Sequence, residues 1–199
     1  MRNEDHMTLA TEIAACARCA VYFAHGCRPV VQFSDTARVV IIGQAPGARV
    51  HASGIPWDDA SGARLREWTG IGADVFYDPA RVALMPMGFC YPGTGTNDDL
   101  PPRPECAPLW HDRILALLAP ARLTLLVGIY AQAHYLPKAR KLSLSDRVRA
   151  QEHLQSSILT LPHPSWRSTG WMKKNLWFES EILPTVRGAV QGFLSKPAD

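Results

Sequence analysis

The chain has 199 residues, 47% of them hydrophobic and 20% charged, with a formal charge of +3 and five cysteines. These proportions describe one soluble globular domain spanning residues 1–199, large enough to bury a core without disulfide staples. They exclude a membrane span, because the longest apolar stretches are strand-sized runs, and a total charge of +3 does not by itself announce nucleic-acid binding, which depends on clustering.

The first seven residues are mixed in charge and precede no apolar segment, so no secretory signal is expected and a cytoplasmic location with reduced thiols follows. Apolar runs rich in β-branched residues then recur at Arg38–Gly43, Val82–Met85, Leu123–Gly128 and Ser157–Leu161. Continuous runs of this kind suit strands covered on both faces, the habit of parallel sheets. Between them, Ser61 can cap a helix running through Trp68. Ala107, Trp110, Ile114, Leu117 and Leu118 place one apolar stripe on a helix beginning near Pro104. Met172 to Phe193 reads as a closing helix that Pro184 kinks or splits. Residues 91–104 form a long Gly/Pro loop of the functional or mobile kind. The coarse expectation is a three-layer α/β/α sandwich.

Three constellations carry chemistry. Gly43-Gln-Ala-Pro-Gly47 leaves the first strand and can either expose backbone N–H groups to a ligand or serve as a tight strand exit. His163, held between Pro162 and Pro164 after the last strand, opens at the same sheet edge and is a well-positioned donor or base, although structural histidines are commoner. Around it, Lys138 to Lys174 contains eight Lys/Arg against Asp146 and Glu152, a local +6 that leaves the remainder at −3. With Trp166 and Trp171 interleaved, the segment suits phosphate neutralisation and base stacking through Arg167, Lys173 and Lys174, or else a solvated face with Trp anchors. The third is Cys16-x-x-Cys19 with Cys90 and Cys106, a set that can ligate an iron-sulfur cluster or zinc, or remain free buried thiols; Cys27 is left over and can replace any of the four.

In order and spacing these features resemble the uracil-DNA glycosylase superfamily, most closely its iron-sulfur branch (family 4). The matching residues are Cys16 and Cys19 followed by Arg28, Gly43 to Gly47, Gly54-Ile-Pro-Trp57, Cys90 and Cys106, and His163-Pro-Ser165. The resemblance implies a four-stranded parallel sheet with flanking helices, a [4Fe-4S] cluster on Cys16, Cys19, Cys90 and Cys106, and a monomer that excises a flipped base from uracil-containing DNA. It implies that Trp57 stacks on the base and that backbone N–H groups of Gly43, Gln44 and Ala45 join His163 in an anion hole. It also implies that Ser165 pinches the DNA backbone while Arg167, in the place of a leucine wedge, fills the duplex gap and pairs with phosphate.

Two departures stand beside the matches. The family's motif carboxylate is absent, with Gln44 and Ala45 in its place; Asp59-Ala-Ser-Gly62 resembles the D-x-S-G of another branch, which makes Asp59 the candidate for orienting water and Gln44 its partner. The alternative for Asp59 is a helix cap. The asparagine that reads uracil on the second strand is also missing from Val82 to Cys90, where Pro86 lies near its place; Asn97 in the long loop is a possible substitute. Uracil excision is therefore expected first, with another deaminated base such as hypoxanthine or xanthine, or a weakly catalytic damaged-DNA or nucleobase binder, as alternatives.

Overall fold

The computed structural model describes residues 2–96, 98–150 and 157–195, without the side chains of residues 2–5. Four strands form the centre: β1 (Val39–Ile42), β2 (Val82–Leu84), β3 (Leu123–Val127) and β4 (Ile158–Leu161). They pair in the order β2-β1-β3-β4, all parallel, with Val39 opposite both Val82 and Leu123 and with Leu125 opposite Leu159. The helices are α1 (Arg2–Ala14), α2 (Ala48–Ser53), α3 (Ala60–Thr69), α4 (Ala73–Phe76), α5 (Cys106–Leu117), α6 (Ile129–Tyr135), α7 (Leu144–Arg149), α8 (Ser168–Lys174) and α9 (Leu183–Leu194).

The strands read as unbroken apolar runs because the sheet is covered twice. Val39, Ile41, Leu84, Leu125 and Leu161 point to one side, where Leu65 and Trp68 of α3 and Val186 and Val190 of α9 pack. Val40, Ile42, Ala83 and Leu126 point to the other, against Leu9 and Ile13 of α1 and Trp110 and Ile114 of α5. Every side chain of β1 is fully buried, each contributing roughly 1.5–3 kcal/mol to folding. The three-layer α/β/α arrangement expected from the sequence is the observed one, and all four strands end at one edge. Among the described residues no helix is long and apolar enough to cross a membrane.

Local expectations are corrected at two places, the α3 cap and the closing helix. Ser61 does not cap α3: Asp59 does, because its extended backbone lets the carboxylate accept from the Gly62 N–H at 2.7 Å, leaving Ser61 in the first turn. The closing helix is not continuous, and Pro184 is not where it breaks. It stops at Asn175, whose side-chain amide donates to the Trp171 carbonyl, and resumes through a π-helical turn, Phe178–Ile182, into α9. Pro184 sits in the first turn of α9, where a missing N–H is harmless. The long loop is folded on itself: Thr94 bridges Asp99, and the Leu100 N–H donates to the Gly93 carbonyl at 2.8 Å. Asn97 lies outside the described residues.

Candidate active site

The segments leaving the carboxyl ends of all four strands meet around one cavity of about 410 Å³, a volume within the range of small-ligand sites. Gln44, Ala45, Pro46 and Gly47 line it from β1, Pro86 from β2, Tyr130 from β3, and His163, Ser165 and Arg167 from β4. The Gly43–Gly47 turn is held by the β2 exit, since the Met87 and Gly88 N–H groups donate to the carbonyls of Gly43 and Gln44, both at 3.0 Å. A ligand at this edge therefore meets a preset backbone.

Trp57 forms one wall, and its conformation is unusual. Its φ is +58°, a left-handed backbone that bulky side chains rarely adopt. Two glycines make room for it. A Cβ on Gly43 would lie 2.5 Å from the Trp57 ring, and one on Gly62 would lie 1.8 Å from the Trp57 carbonyl oxygen. Tyr77 Oη donates to that same carbonyl at 3.3 Å. Gly43, expected to touch substrate, is thus behind the tryptophan and not among the cavity-lining residues.

The His163 ring stands 5.9 Å from the Trp57 ring, centroid to centroid, at 31° to it. Burial lowers its pKa, opposed by the nearby Asp59 carboxylate, so the imidazole is neutral at neutral pH and can present an N–H without carrying charge. Its loop is pinned at both ends: Ser168 Oγ donates to the His163 carbonyl, and Arg64 of α3 donates to the Ser165 carbonyl at 2.7 Å. Asp59 caps α3 and at the same time lines the cavity.

A model of the uracil DNA glycosylase superfamily matches residues 30–187, most of the chain. The chain belongs to that superfamily. Members are typically hydrolases that release bases from DNA.

The cysteines gather around a second cavity. Cys16, Cys19, Cys27, Cys90 and Cys106 all line it, beside Arg103 and Glu105. All five are free thiols, and burial pushes Cys90 and Cys106 up to about 12. Backbone N–H groups already point at sulfur, from Phe89 to Cys106 Sγ at 3.3 Å and from Arg28 to Cys90. Soft ligands with N–H···S donors fit an iron-sulfur centre. Among the described residues no group of three or more His, Cys, Asp or Glu side chains is drawn into a ready metal site.

The basic segment does not form one continuous face. Arg147 is buried beneath β4, Arg149 stacks on Trp177 with its guanidinium carbon 4.3 Å from the ring centroid, and Arg140 donates to the Ala133 carbonyl. Trp171 packs against Trp177 and Phe178 in the core, whereas Trp166 is 74% exposed. Arg167 borders the cavity and pairs with Asp98, while Lys173 and Lys174 are exposed at the end of α8, away from the cavity lining. Sequence reasoning missed Arg64, Asp98, Asp99 and Tyr130. Tyr130 was within reach of the strand-end rule, since it follows Gly128 directly after β3.

Proposed function

We propose that this protein is a DNA glycosylase that hydrolyses the N-glycosidic bond of uracil in DNA after the nucleotide has left the helix. The observation that carries this reading is the single cavity shared by the β1 turn, Trp57 and His163 at the strand ends. A flipped pyrimidine stacks on Trp57. As the bond breaks, negative charge builds on the base, and the neutral His163 donates to its oxygen together with backbone N–H groups of Gln44 and Ala45. Preorganised donors of this kind contribute about 3–4 kcal/mol each. Asp59, fixed as the α3 cap, places a negative charge beside the sugar as it becomes cation-like, and Gln44 orients water or the base edge.

Ser165 and Arg167 meet the DNA backbone, with Arg167 exchanging the Asp98 carboxylate for phosphate, and Lys173 and Lys174 add charge further along the strand. Cys16, Cys19, Cys90 and Cys106 would hold a [4Fe-4S] cluster, which when bound supplies a cross-link between the segment after α1, the β2 exit and the start of α5. A preparation made anaerobically should be brown with about four iron per chain; a colourless protein carrying zinc or nothing would refute this part.

Excision of a different deaminated base is the second reading, favoured by Pro86. It lines the cavity where relatives place a base-reading asparagine, and its carbonyl is taken by His111 Nε2–H at 3.0 Å. Oligonucleotides carrying uracil, hypoxanthine or xanthine, single- and double-stranded, incubated with the protein and then cleaved by alkali, separate the two. Abasic product from the uracil strand is the expected result. Binding without any product, unaffected by Asp59→Asn or His163→Asn, would instead make the protein a damaged-base binder.

A further inference from the structure

Ala45 leaves the β1 turn without an acid, yet the folded loop between β2 and α5 returns two to the cavity, Asp98 and Asp99. Asp98 is engaged by Arg167. Asp99 is different. One of its carboxylate oxygens lies 3.4 Å from the point where a Cβ on Gly47 would stand, so the group rests directly on the turn that lacks a carboxylate. It is also held there. The Thr94–Asp99 bridge, the Leu100-to-Gly93 hydrogen bond and the 2.6 Å bond from the Gly95 N–H to the Asp98 carbonyl close the loop beneath it. Thr94 donates its hydroxyl to the carboxylate and is itself bonded to Tyr91 Oη.

Asp59, the other unpaired candidate, commits one oxygen to the Gly62 N–H. The two carboxylates thus stand in unlike surroundings, one bonded to a backbone N–H at a helix N-terminus and one bonded to the Thr94 hydroxyl on an exposed loop. Pairs separated in this way divide acid-base roles between them. Partial burial raises the Asp99 pKa, opposed by the Thr94 hydrogen bond and aided by the field of Asp59.

Resting on the glycosylase reading above, we infer that Asp99 is the catalytic residue that deprotonates the attacking water, in place of the acid missing from the β1 turn. The C1′–N bond breaks with its electron pair leaving on the base. Water oxygen then bonds to C1′ and its proton passes to the Asp99 carboxylate, from which it returns to solvent or to the departed base. Asp59 supplies charge to the sugar and His163 the hydrogen bond to the base; with Asp98, Arg167 and Tyr130, these are the charged and titratable groups among the described residues that share the cavity with Asp99.

The test is single-turnover excision by the full chain across pH, paired with affinity for DNA containing a non-hydrolysable 2′-fluoro nucleotide. Asp99→Asn should lower the rate about 100-fold or more while affinity stays within about threefold, and formate should restore part of the rate to Asp99→Ala. A rate for Asp99→Asn within about threefold of the parent, with the parent active, overturns the inference and leaves the glycosylase reading standing. Parallel loss of rate and affinity without rescue by formate also overturns it, making Asp99 a loop support. A parent chain that releases no base from any substrate removes the glycosylase reading and this inference together.

Discussion

Trp57 is the strained residue of the cavity wall, with a left-handed backbone at φ +58°. A non-glycine residue in the left-handed region costs about 1–3 kcal/mol and persists only where its surroundings over-determine it. Here the surroundings are the missing side chains of Gly43 and Gly62 and the hydroxyl of Tyr77. Gly43→Ala would force the ring edge aside, and such overpacking costs about 1–3 kcal/mol. We expect that variant to remain folded with shifted tryptophan fluorescence and to excise about tenfold or more slowly; unchanged excision would mean that Trp57 does not hold the base. The aromatic after Gly54-Ile-Pro was legible in the sequence, but its backbone state was not, because φ at Trp57 is imposed by contacts with residues from β1 and α3. Asp99 was illegible for a related reason: its carboxylate reaches the β1 turn only after the loop folds back.

At the scale of elements, Arg28 links the end of α2 to the segment that carries Cys90. Its guanidinium donates to the carbonyls of His51 and Ala52 at 2.6 and 2.7 Å, closing the carboxyl end of α2, where a cation also suits the helix dipole. Its own backbone N–H points to Cys90 in the thiol cavity. Just beyond α2, Gly54 has φ +75°, and a Cβ there would lie 2.5 Å from the Arg28 guanidinium, so the chain toward Trp57 turns against this side chain. Arg28→Met should cost about 1 kcal/mol, or about 3 °C in Tm, because the group is exposed to solvent. Excision should fall by more than that loss implies, since the Trp57 loop is released; equal activity would confine Arg28 to the thiol cavity. Helix positions were readable from apolar spacing, as in α5. Caps were less so: the choice between Ser61 and Asp59 depends on which residue turns extended, and that is decided by the packing of Gly62 against Trp57.

For the molecule as a whole, stability against pH should turn on a histidine behind the cavity wall, outside its lining. His111 is buried on α5, donating from Nε2 to Pro86 and accepting at Nδ1 from Tyr135 Oη at 2.7 Å. Burial lowers its pKa to about 4 against the pull of the Pro86 bond, which favours the charged ring, while acceptance from Tyr135 at Nδ1 needs the neutral one. The unfolded chain binds this proton near pH 6.5, so the contribution is complete above that value and is lost as pH falls toward about 4. The loss amounts to about 3 kcal/mol by the acid end. Denaturant unfolding of His111→Gln should therefore show lower stability at pH 8 but a shallower decline below pH 6.5. An unaltered slope would place the titration elsewhere.

The order of apolar runs, turns and motifs by itself determined a parallel sheet, its two helical layers and the segments that surround the cavity, because period and strand order are local properties that one core can satisfy in few ways. Five cysteines were visible in the sequence, but only the fold placed Cys27 with the other four. Only the tertiary structure decided that the local +6 is dispersed, with Arg147 buried and Arg149 stacked, and that the Asp99 carboxylate rests against the turn that carries Ala45. Charge and hydrogen bonding act through distance, and distance between residues far apart in the chain exists only once the sheet has brought their loops to one edge.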